Sequence, residues 1–102
     1  MTKWLQSGLR RDICIVVADL GAPTGHDVKR AIEAHYDESI RPKTFRGAMS
    51  ELVKTGHLTS EVDGVYDRYS LTNGGEKRLR EQFAWMQERL DADGPEPGDA
   101  DT

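Results

Sequence analysis

The apolar residues of the stretch that follows Arg41 recur with the period of an α-helix. They fall at positions i, i+3, i+4, i+7 and i+8 and are Phe45, Ala48, Met49, Leu52 and Val53. This spacing predicts a helix over residues 42–55 with one apolar face. Pro42 suits the first helical turn, and Gly56 suits the left-handed backbone that commonly ends a helix.

Two short runs of strand-forming residues follow this helix directly. Residues 57–62 and 66–71 are predicted to be strands, joined by a turn over residues 63–65, which read Asp-Gly-Val. A helix, a glycine stop and a two-stranded ribbon in this order are typical of a winged helix-turn-helix. That module most often binds duplex DNA.

An earlier run of apolar residues predicts a first helix over about residues 4–20. Its predicted stripe toward the core consists of Leu5, Leu9, Ile13, Val16 and Leu20. The centre of this helix is apolar all round, which is the pattern of a buried helix. The segment 21–23, which reads Gly-Ala-Pro, ends it.

A second helix is predicted to begin after Thr24, which caps it, with Asp27 three residues later serving the first turn. Its predicted inner face consists of Val28, Ala31, Ile32 and either Tyr36 or His35. The link to the third helix, residues 37–41, is as short as a helix-turn-helix requires.

A final helix is predicted over residues 73–91, capped by Thr72. Its apolar residues recur at spacings of four, three and four and are Leu79, Phe83, Met86 and Leu90. Such a heptad seam favours a homodimer, with packing on the parent domain as the alternative. Large aromatic residues near both ends of the structured part also favour a shared interface. The predicted dimer interface consists of Trp4, Leu5, Leu79, Phe83, Trp85, Met86 and Leu90.

These elements together predict one domain over residues 1–91 that is mostly α with a small β-wing. The expected fold is a winged helix-turn-helix with a three-helix core, a two-stranded wing and a C-terminal dimerisation helix. Residues 92–102 contain no large apolar side chain and are predicted to form a disordered acidic tail. This tail either keeps the protein soluble or competes with nonspecific DNA.

The chain has fourteen Lys and Arg against eighteen Asp and Glu, a formal net charge of −4. Four of the acids lie in the tail, which leaves the domain itself neutral. DNA-binding domains are usually basic, so binding requires that the positive charge be concentrated on one face. The excess of Asp, and of Arg (nine) over Lys (five), indicates a protein adapted to high salt, where acidic surfaces stay soluble.

The outer face of the helix predicted over residues 42–55 carries small polar and basic side chains. They are Lys43, Thr44, Arg46, Gly47, Ser50 and Lys54. A positive face without bulky apolar residues can enter a major groove, and Arg46 is the expected base reader because arginine pairs bidentately with guanine. The residues expected to bind phosphates are Arg41, Lys54, Arg68, Lys29 and Arg30. The alternative is the ordinary solvent-exposed side of a surface helix.

Cysteine and histidine usage predicts neither a disulfide nor a metal site. Cys14 is the only cysteine and lies within an apolar run, so a small buried hydrophobe is expected, with a redox sensor as the alternative. The histidines share no metal-ligand spacing with one another or with Cys14, and no cofactor is expected. They are His26, His35 and His57.

Membrane insertion and catalysis are not expected either. No apolar run is long enough to span a bilayer, and the start of the chain does not resemble a signal peptide, so a cytoplasmic protein is predicted. Residues 21–25 lack the lysine and the preceding strand of a phosphate-binding loop. No serine, histidine and carboxylate residues show a recognisable catalytic spacing.

Several segments resemble the PadR-like transcriptional regulators, in particular short haloarchaeal and virus-repressor-like members. They are residues 25–28, which read Gly-His-Asp-Val, residues 44–58, and residues 69–75 with the pattern Tyr-x-Leu-Thr-x-x-Gly. The resemblance covers residues 9–90 and implies a winged-helix homodimer, dimerised through its terminal helices. It further implies a repressor that acts at a palindromic operator, and a halophilic archaeon or its virus as the source.

The chain departs from the family pattern in three features. Arg46 and Gly47 stand where the family commonly has Tyr-Pro or Tyr-Gly. The acidic residues of the wing outnumber Arg68, and they are Glu61, Asp63 and Asp67. The C-terminal helix is short and leaves little room for an effector pocket, so a small-molecule effector stays unassigned.

The sequence therefore predicts a sequence-specific transcriptional regulator that binds double-stranded DNA. In its simplest form this is a homodimeric repressor that reads a palindromic operator through residues 42–55. The alternative is a winged-helix protein–protein interaction module without specific DNA binding. The neutral domain and the acidic wing favour that alternative, whereas the polar outer face of the third helix argues against it.

Overall fold

The computed structural model describes the backbone of residues 2–93 and the side chains of residues 8–91. Within these residues, the order of helices and strands is the one predicted for a winged helix-turn-helix. The elements are α1 (Thr2–Leu20), α2 (Gly25–Tyr36), α3 (Pro42–Lys54), β1 (Leu58–Asp63), β2 (Tyr66–Leu71) and α4 (Asn73–Asp93). Residues 94–102 of the predicted tail, and the side chains of Trp4 and Leu5, lie outside the described residues.

One apolar core joins α1, α2, α3 and the start of β1. Its buried side chains are Leu9, Ile13, Cys14, Val17, Val28, Ile32, Phe45, Met49, Leu52 and Leu58. No polar or charged side chain among the described residues is buried with them. The three-helix core predicted from periodicity is therefore confirmed.

The predicted core stripe of α1 is partly wrong. Leu9 and Ile13 are buried as expected, but Val17 completes the stripe and Leu20 is 47% exposed. Because the middle of α1 is apolar all round, its periodicity does not select a side. Packing against α2 and α3 selects the side that includes Cys14, and Ile15 on the other side is 46% exposed.

Cys14 is a buried small hydrophobe, as predicted. Its burial raises the pKa of the thiol to about 11. A thiol with such a pKa is protonated at neutral pH, and thiolate is the reactive form. The redox-sensor alternative therefore has no support in this environment.

The start of α2 has the cap that its sequence predicts. Thr24 Oγ1 accepts from the Asp27 N–H at 3.1 Å, and Asp27 Oδ2 accepts from the Thr24 N–H at 3.2 Å. This reciprocal pair is a capping box, and the hydrogen bond from the Thr24 backbone is the main cause of a lowered Asp27 pKa. Two local residues thus set where α2 begins.

The wing is an antiparallel ribbon in which Leu58 pairs with Leu71 and Asp63 pairs with Tyr66. Its turn is therefore Gly64-Val65, shorter than the predicted turn over residues 63–65. Gly64 has a φ of 68°, which a two-residue hairpin turn of type II′ requires at its first position. His57 was predicted to begin β1, but its N–H instead donates to Leu52 O at 2.9 Å and closes the end of α3.

A contact that the sequence analysis missed ties the wing to the segment before α2. The Tyr69 N–H donates to Pro23 O at 2.9 Å, and Thr24 forms an isolated antiparallel bridge with Arg68. Segment 22–24 therefore lies beside β2 as a third short strand-like edge. The wing is thereby fixed to the N-terminus of α2 as well as to α3.

The last helix begins where Thr72 predicts. The Gly75 N–H donates to Thr72 Oγ1 at 2.9 Å, and the Thr72 hydroxyl donates to Gly56 O at 2.6 Å. The same residue caps α4 and binds the corner at the end of α3. No helix within the described residues is long and apolar enough to cross a membrane.

Candidate nucleic-acid interface

The outer face of α3 is formed as the sequence predicts. The side chains of Phe45, Met49 and Leu52 are buried in the core and fix the rotation of the helix. Its opposite face is exposed, and the exposed residues there are Lys43, Thr44, Arg46, Gly47, Ser50 and Lys54. The structure therefore brings these predicted site residues together on one side of a firmly anchored helix.

The basic residues of α3 are free to meet a partner. Within residues 8–91, no salt bridge involves Arg41, Lys43, Arg46 or Lys54. Glu51 is the one acid between Arg41 and Lys54. Although the domain as a whole is neutral, four cations without an ion pair among the described residues lie together on this helix and its N-cap, which is the local positive face that DNA binding requires.

Gly47 lies in the middle of α3, where glycine destabilises a helix relative to alanine by about 0.5–1 kcal/mol. A Cβ added at Gly47 would meet no protein atom within 4 Å. Packing within the domain therefore does not explain this glycine. Its open surface lets the backbone of α3 approach an external partner closely.

A groove of about 620 Å³ separates α3 from the wing and the N-terminus of α2. Arg46 and Ser50 line it from α3, and Lys29 and His26 line it from α2. The Lys29 ammonium group lies 2.7 Å from Glu33 Oε2. The pKa of Glu33 is lowered first by the Ile40 N–H and then by Lys29, so Lys29 reaches the groove only as half of an ion pair.

His26 and Tyr66 are groove residues that the sequence analysis did not select. His26 lies in the first turn of α2, and Tyr66 begins β2. The signal that could have found His26 is its position two residues after the Thr24 cap, because helix N-termini attract anions. No local pattern places Tyr66 there, since only the folding back of the wing does so.

Arg30 and Arg68 do not share this groove. Both line a separate depression beside Pro23 and Asp27. The Arg68 guanidinium group donates to Asp63 Oδ2 at 2.7 Å and to Ala22 O at 2.8 Å. Arg68 therefore holds the wing against segment 22–24, and the structure separates these two predicted phosphate contacts from Arg46.

The tip of the wing combines acids with apolar side chains. Val65 is 89% exposed, and Val62 and Tyr66 are exposed beside it. Two of the acids predicted for the wing, Glu61 and Asp67, are exposed on the same two strands. This tip offers little to a phosphate backbone.

The C-terminal half of α4 exposes a row of large apolar side chains. Phe83 is 63% exposed and Leu90 is 66% exposed, while Leu79 is half-buried against the core. A groove of about 770 Å³ lies between this helix and α1, and Ile15, Phe83 and Met86 line it. Leu79 thus packs partly on its own domain, whereas Phe83 and Leu90 are mostly exposed and Met86 is 39% exposed.

Trp85 is placed differently from the rest of the predicted dimer interface. It does not line the groove between α1 and α4. The guanidinium group of Arg89 lies 4.6 Å from the centre of its ring, a cation–π contact on the surface of α4. Trp4 and Leu5, also predicted for this interface, have no described side chains.

Several solved structures have the same architecture as this chain. RosR from H. salinarum, in its complex structure hsRosR-S1, is 26% identical with a TM-score of 0.75, covering 82% of this chain and 75% of that chain. A PadR-like transcription factor from Bacteroides fragilis is 18% identical with a TM-score of 0.78, covering 89% and 91%. SSV1 F-93 is 13% identical with a TM-score of 0.64, covering 86% and 94%.

No protein-family model matches the chain, and no curated protein matches it. The structural relatives include both the haloarchaeal and the viral types that the sequence resembles. Their likeness extends over more than four-fifths of this chain. The chain therefore has the winged-helix fold of the PadR-like regulators.

Proposed function

We propose that the protein is a transcriptional regulator that binds double-stranded DNA through α3. The observation that carries this proposal is the exposed face of α3, where unpaired basic residues surround small polar ones and Gly47 leaves the backbone open. Such a face fits a major groove in shape and charge. The solved structures that the chain resembles include a PadR-like transcription factor from Bacteroides fragilis and a transcriptional regulator from Clostridium thermocellum.

The finer form of the proposal is a homodimeric repressor at a palindromic operator in the cytoplasm. Two copies of α3 related by a two-fold axis would enter successive major grooves about 34 Å apart. Arg46 reads a base, with Thr44 and Ser50 beside it, while Arg41 and Lys54 bind the flanking phosphates. Lys29 joins them from α2 once a phosphate competes with Glu33 for its ammonium group.

The test is fluorescence-anisotropy binding to DNA from the protein's own promoter and to scrambled DNA of equal length, over a salt series. We expect tighter binding to the promoter, with log K falling linearly as log salt concentration rises because phosphate contacts release counterions. Weak and equal binding to both DNAs would contradict an operator in that promoter. A library of random DNA fragments would then decide whether any sequence is preferred.

The exposed apolar row on α4 supports self-association. Phe83→Glu would place a charge in the groove between α1 and α4, and we expect it to convert a dimer to a monomer because an unpaired charge is costly in an apolar interface. Gln87→Glu is the matched control, since it adds the same charge at an exposed position of α4 outside the groove. Sedimentation velocity at micromolar concentration measures both.

A monomeric wild-type protein would contradict the dimer directly. A dimer that persists in the Phe83 variant would show that the interface lies elsewhere. If the wild type has twice the mass of one chain and only the Phe83 variant has the mass of a monomer, the result would support an interface on α4.

A winged-helix protein-interaction module is the second candidate function. The observation that favours it is the wing tip, where Val62, Val65 and Tyr66 are exposed between acidic neighbours. DNA binding no tighter than charge alone produces, at every sequence tested, would favour this candidate over the regulator.

A further inference from the structure

A cavity of about 330 Å³ lies where α1, α4 and the corner after α3 meet. Arg10 and Arg11 line it from α1, Arg78 and Gln82 from α4, and His57 from the corner. None of its lining residues is an aspartate or a glutamate. It shares no lining residue with the groove between α3 and the wing. It adjoins the groove between α1 and α4, with which it shares Arg11, Leu79 and Gln82.

Three guanidinium groups around one cavity repel one another unless a negative charge lies among them. Arg11 has a partner, because its Nε lies 3.6 Å from Asp12 Oδ1. Within residues 8–91, no salt bridge involves Arg10 or Arg78. The domain as a whole is neutral, so two unpaired arginines beside one cavity are a local arrangement rather than a result of composition.

The first turn of α4 adds to the positive potential of the cavity. Gly75 lies in that turn and lines the cavity, and the N-terminal end of a helix carries partial positive charge. The one acid of the turn, Glu76, is paired with Arg80, whose Nη2 lies 2.8 Å from Glu76 Oε2. Neither Glu76 nor Arg80 lines the cavity.

We infer that this cavity binds a small phosphate-type oxyanion. Arginine forks match the oxygens of such a group, and Gln82 and His57 offer further hydrogen-bond donors. The bound anion joins α1 and α4 to the corner at His57, which directly follows the left-handed Gly56 at the end of α3. Occupancy therefore stabilises the position of α3 relative to the two helices that pack behind it.

Thermal unfolding tests the site, with inorganic phosphate compared against sodium chloride at equal ionic strength. We expect the Tm of the wild type to rise and to follow a saturable binding curve, by roughly 5–10 °C at ten times the dissociation constant. The double variant Arg10→Gln/Arg78→Gln loses this rise. Lys77→Gln is the control, because it removes an exposed cation of α4 that lies outside the cavity and has no ion pair among the described residues, and it keeps the rise.

Phosphate also stabilises proteins generally because it is excluded from their surfaces, and that effect is shared by every variant. Equal rises in the wild type and the double variant would therefore overturn the proposal. So would a double variant that keeps the phosphate response but binds all DNA more weakly, since these arginines would then be DNA contacts. Adenosine monophosphate is the second probe. If it produces the half-maximal rise in Tm at a lower concentration than inorganic phosphate does, the site prefers a nucleotide; the opposite order shows that it prefers free phosphate.

Discussion

Gly75→Ala is expected to lower the free energy of unfolding by roughly 3 kcal/mol or more, an overpacking effect at a backbone contact. A Cβ at residue 75 would lie 2.9 Å from the carbonyl carbon of His57 and closer still to its oxygen. Backbone atoms cannot rotate away as a flexible side chain can. The α4 helix would have to move off the corner, which breaks the hydrogen bonds that Thr72 makes there.

Those hydrogen bonds explain why the effect should spread beyond one contact. The Thr72 N–H donates to His57 O at 3.0 Å, and the Thr72 hydroxyl donates to Gly56 O. Thr72 also accepts from the Gly75 N–H as the cap of α4. Displacing α4 therefore disrupts its own cap and the closure of α3 together.

Thermal unfolding followed by circular dichroism measures this, with an expected fall in Tm of about 12–24 °C for a domain of this size. Gly74→Ala is the matched control, because the nearest atoms to its new Cβ are Thr72 Oγ1 at 3.8 Å and Gly56 O at 3.9 Å. That variant should be as stable as the wild type or slightly more so. Equal Tm values for the two variants would contradict the prediction, because they would show that the His57 backbone moves away from the new Cβ at little cost in free energy.

Arg46→Ala is expected to weaken binding to the operator by about 1–3 kcal/mol, which is roughly a 5- to 150-fold rise in Kd, and to relax specificity at one position. Arg46 is exposed, has no ion pair among the described residues and lines the groove beside the wing. It therefore has no intramolecular role to lose. Its removal should leave the Tm unchanged while the sequence preference falls.

Lys54→Ala is the matched comparison, because Lys54 is an exposed basic residue in the last turn of the same helix. As a phosphate contact it should weaken binding to all sequences alike and reduce the salt slope by about 1. Anisotropy titrations on operator and scrambled DNA, at several salt concentrations, distinguish the two patterns. An equal loss on both DNAs for the Arg46 variant would remove its role as a base reader.

Local sequence signals were sufficient for most of the fold. The period of the residues from Phe45 to Val53 predicts α3, and Pro42 and Gly56 mark its two ends, where the structure has Pro42–Lys54 and a φ of 82° at Gly56. The caps at Thr24 and Thr72 are likewise readable because the residues that form them are three positions apart. Each of these signals lies within one or two helical turns.

The candidate site was predictable to the same extent. Every predicted residue of α3 lies on its exposed face, because a single helix fixes which of its residues share a side. The predicted contributions of Arg30 and Arg68 depended on how α2 and the wing approach α3. The structure instead places both beside Pro23, with Arg68 bonded to Ala22 O.

By itself, the sequence determined the order of the elements, the ends of α2 and α3, the start of α4 and the polar face of α3, because these follow from residues close together in the chain. The predicted end of α4 at residue 91 is wrong, because the helix continues to Asp93. Tertiary structure alone decided that α1 buries Val17 rather than Leu20, that Gly75 lies against His57, and that three arginines from α1 and α4 surround one cavity. These features join residues that are far apart in sequence. A local period or spacing in the sequence does not predict the distance between two such residues, because that distance depends on how the whole core packs.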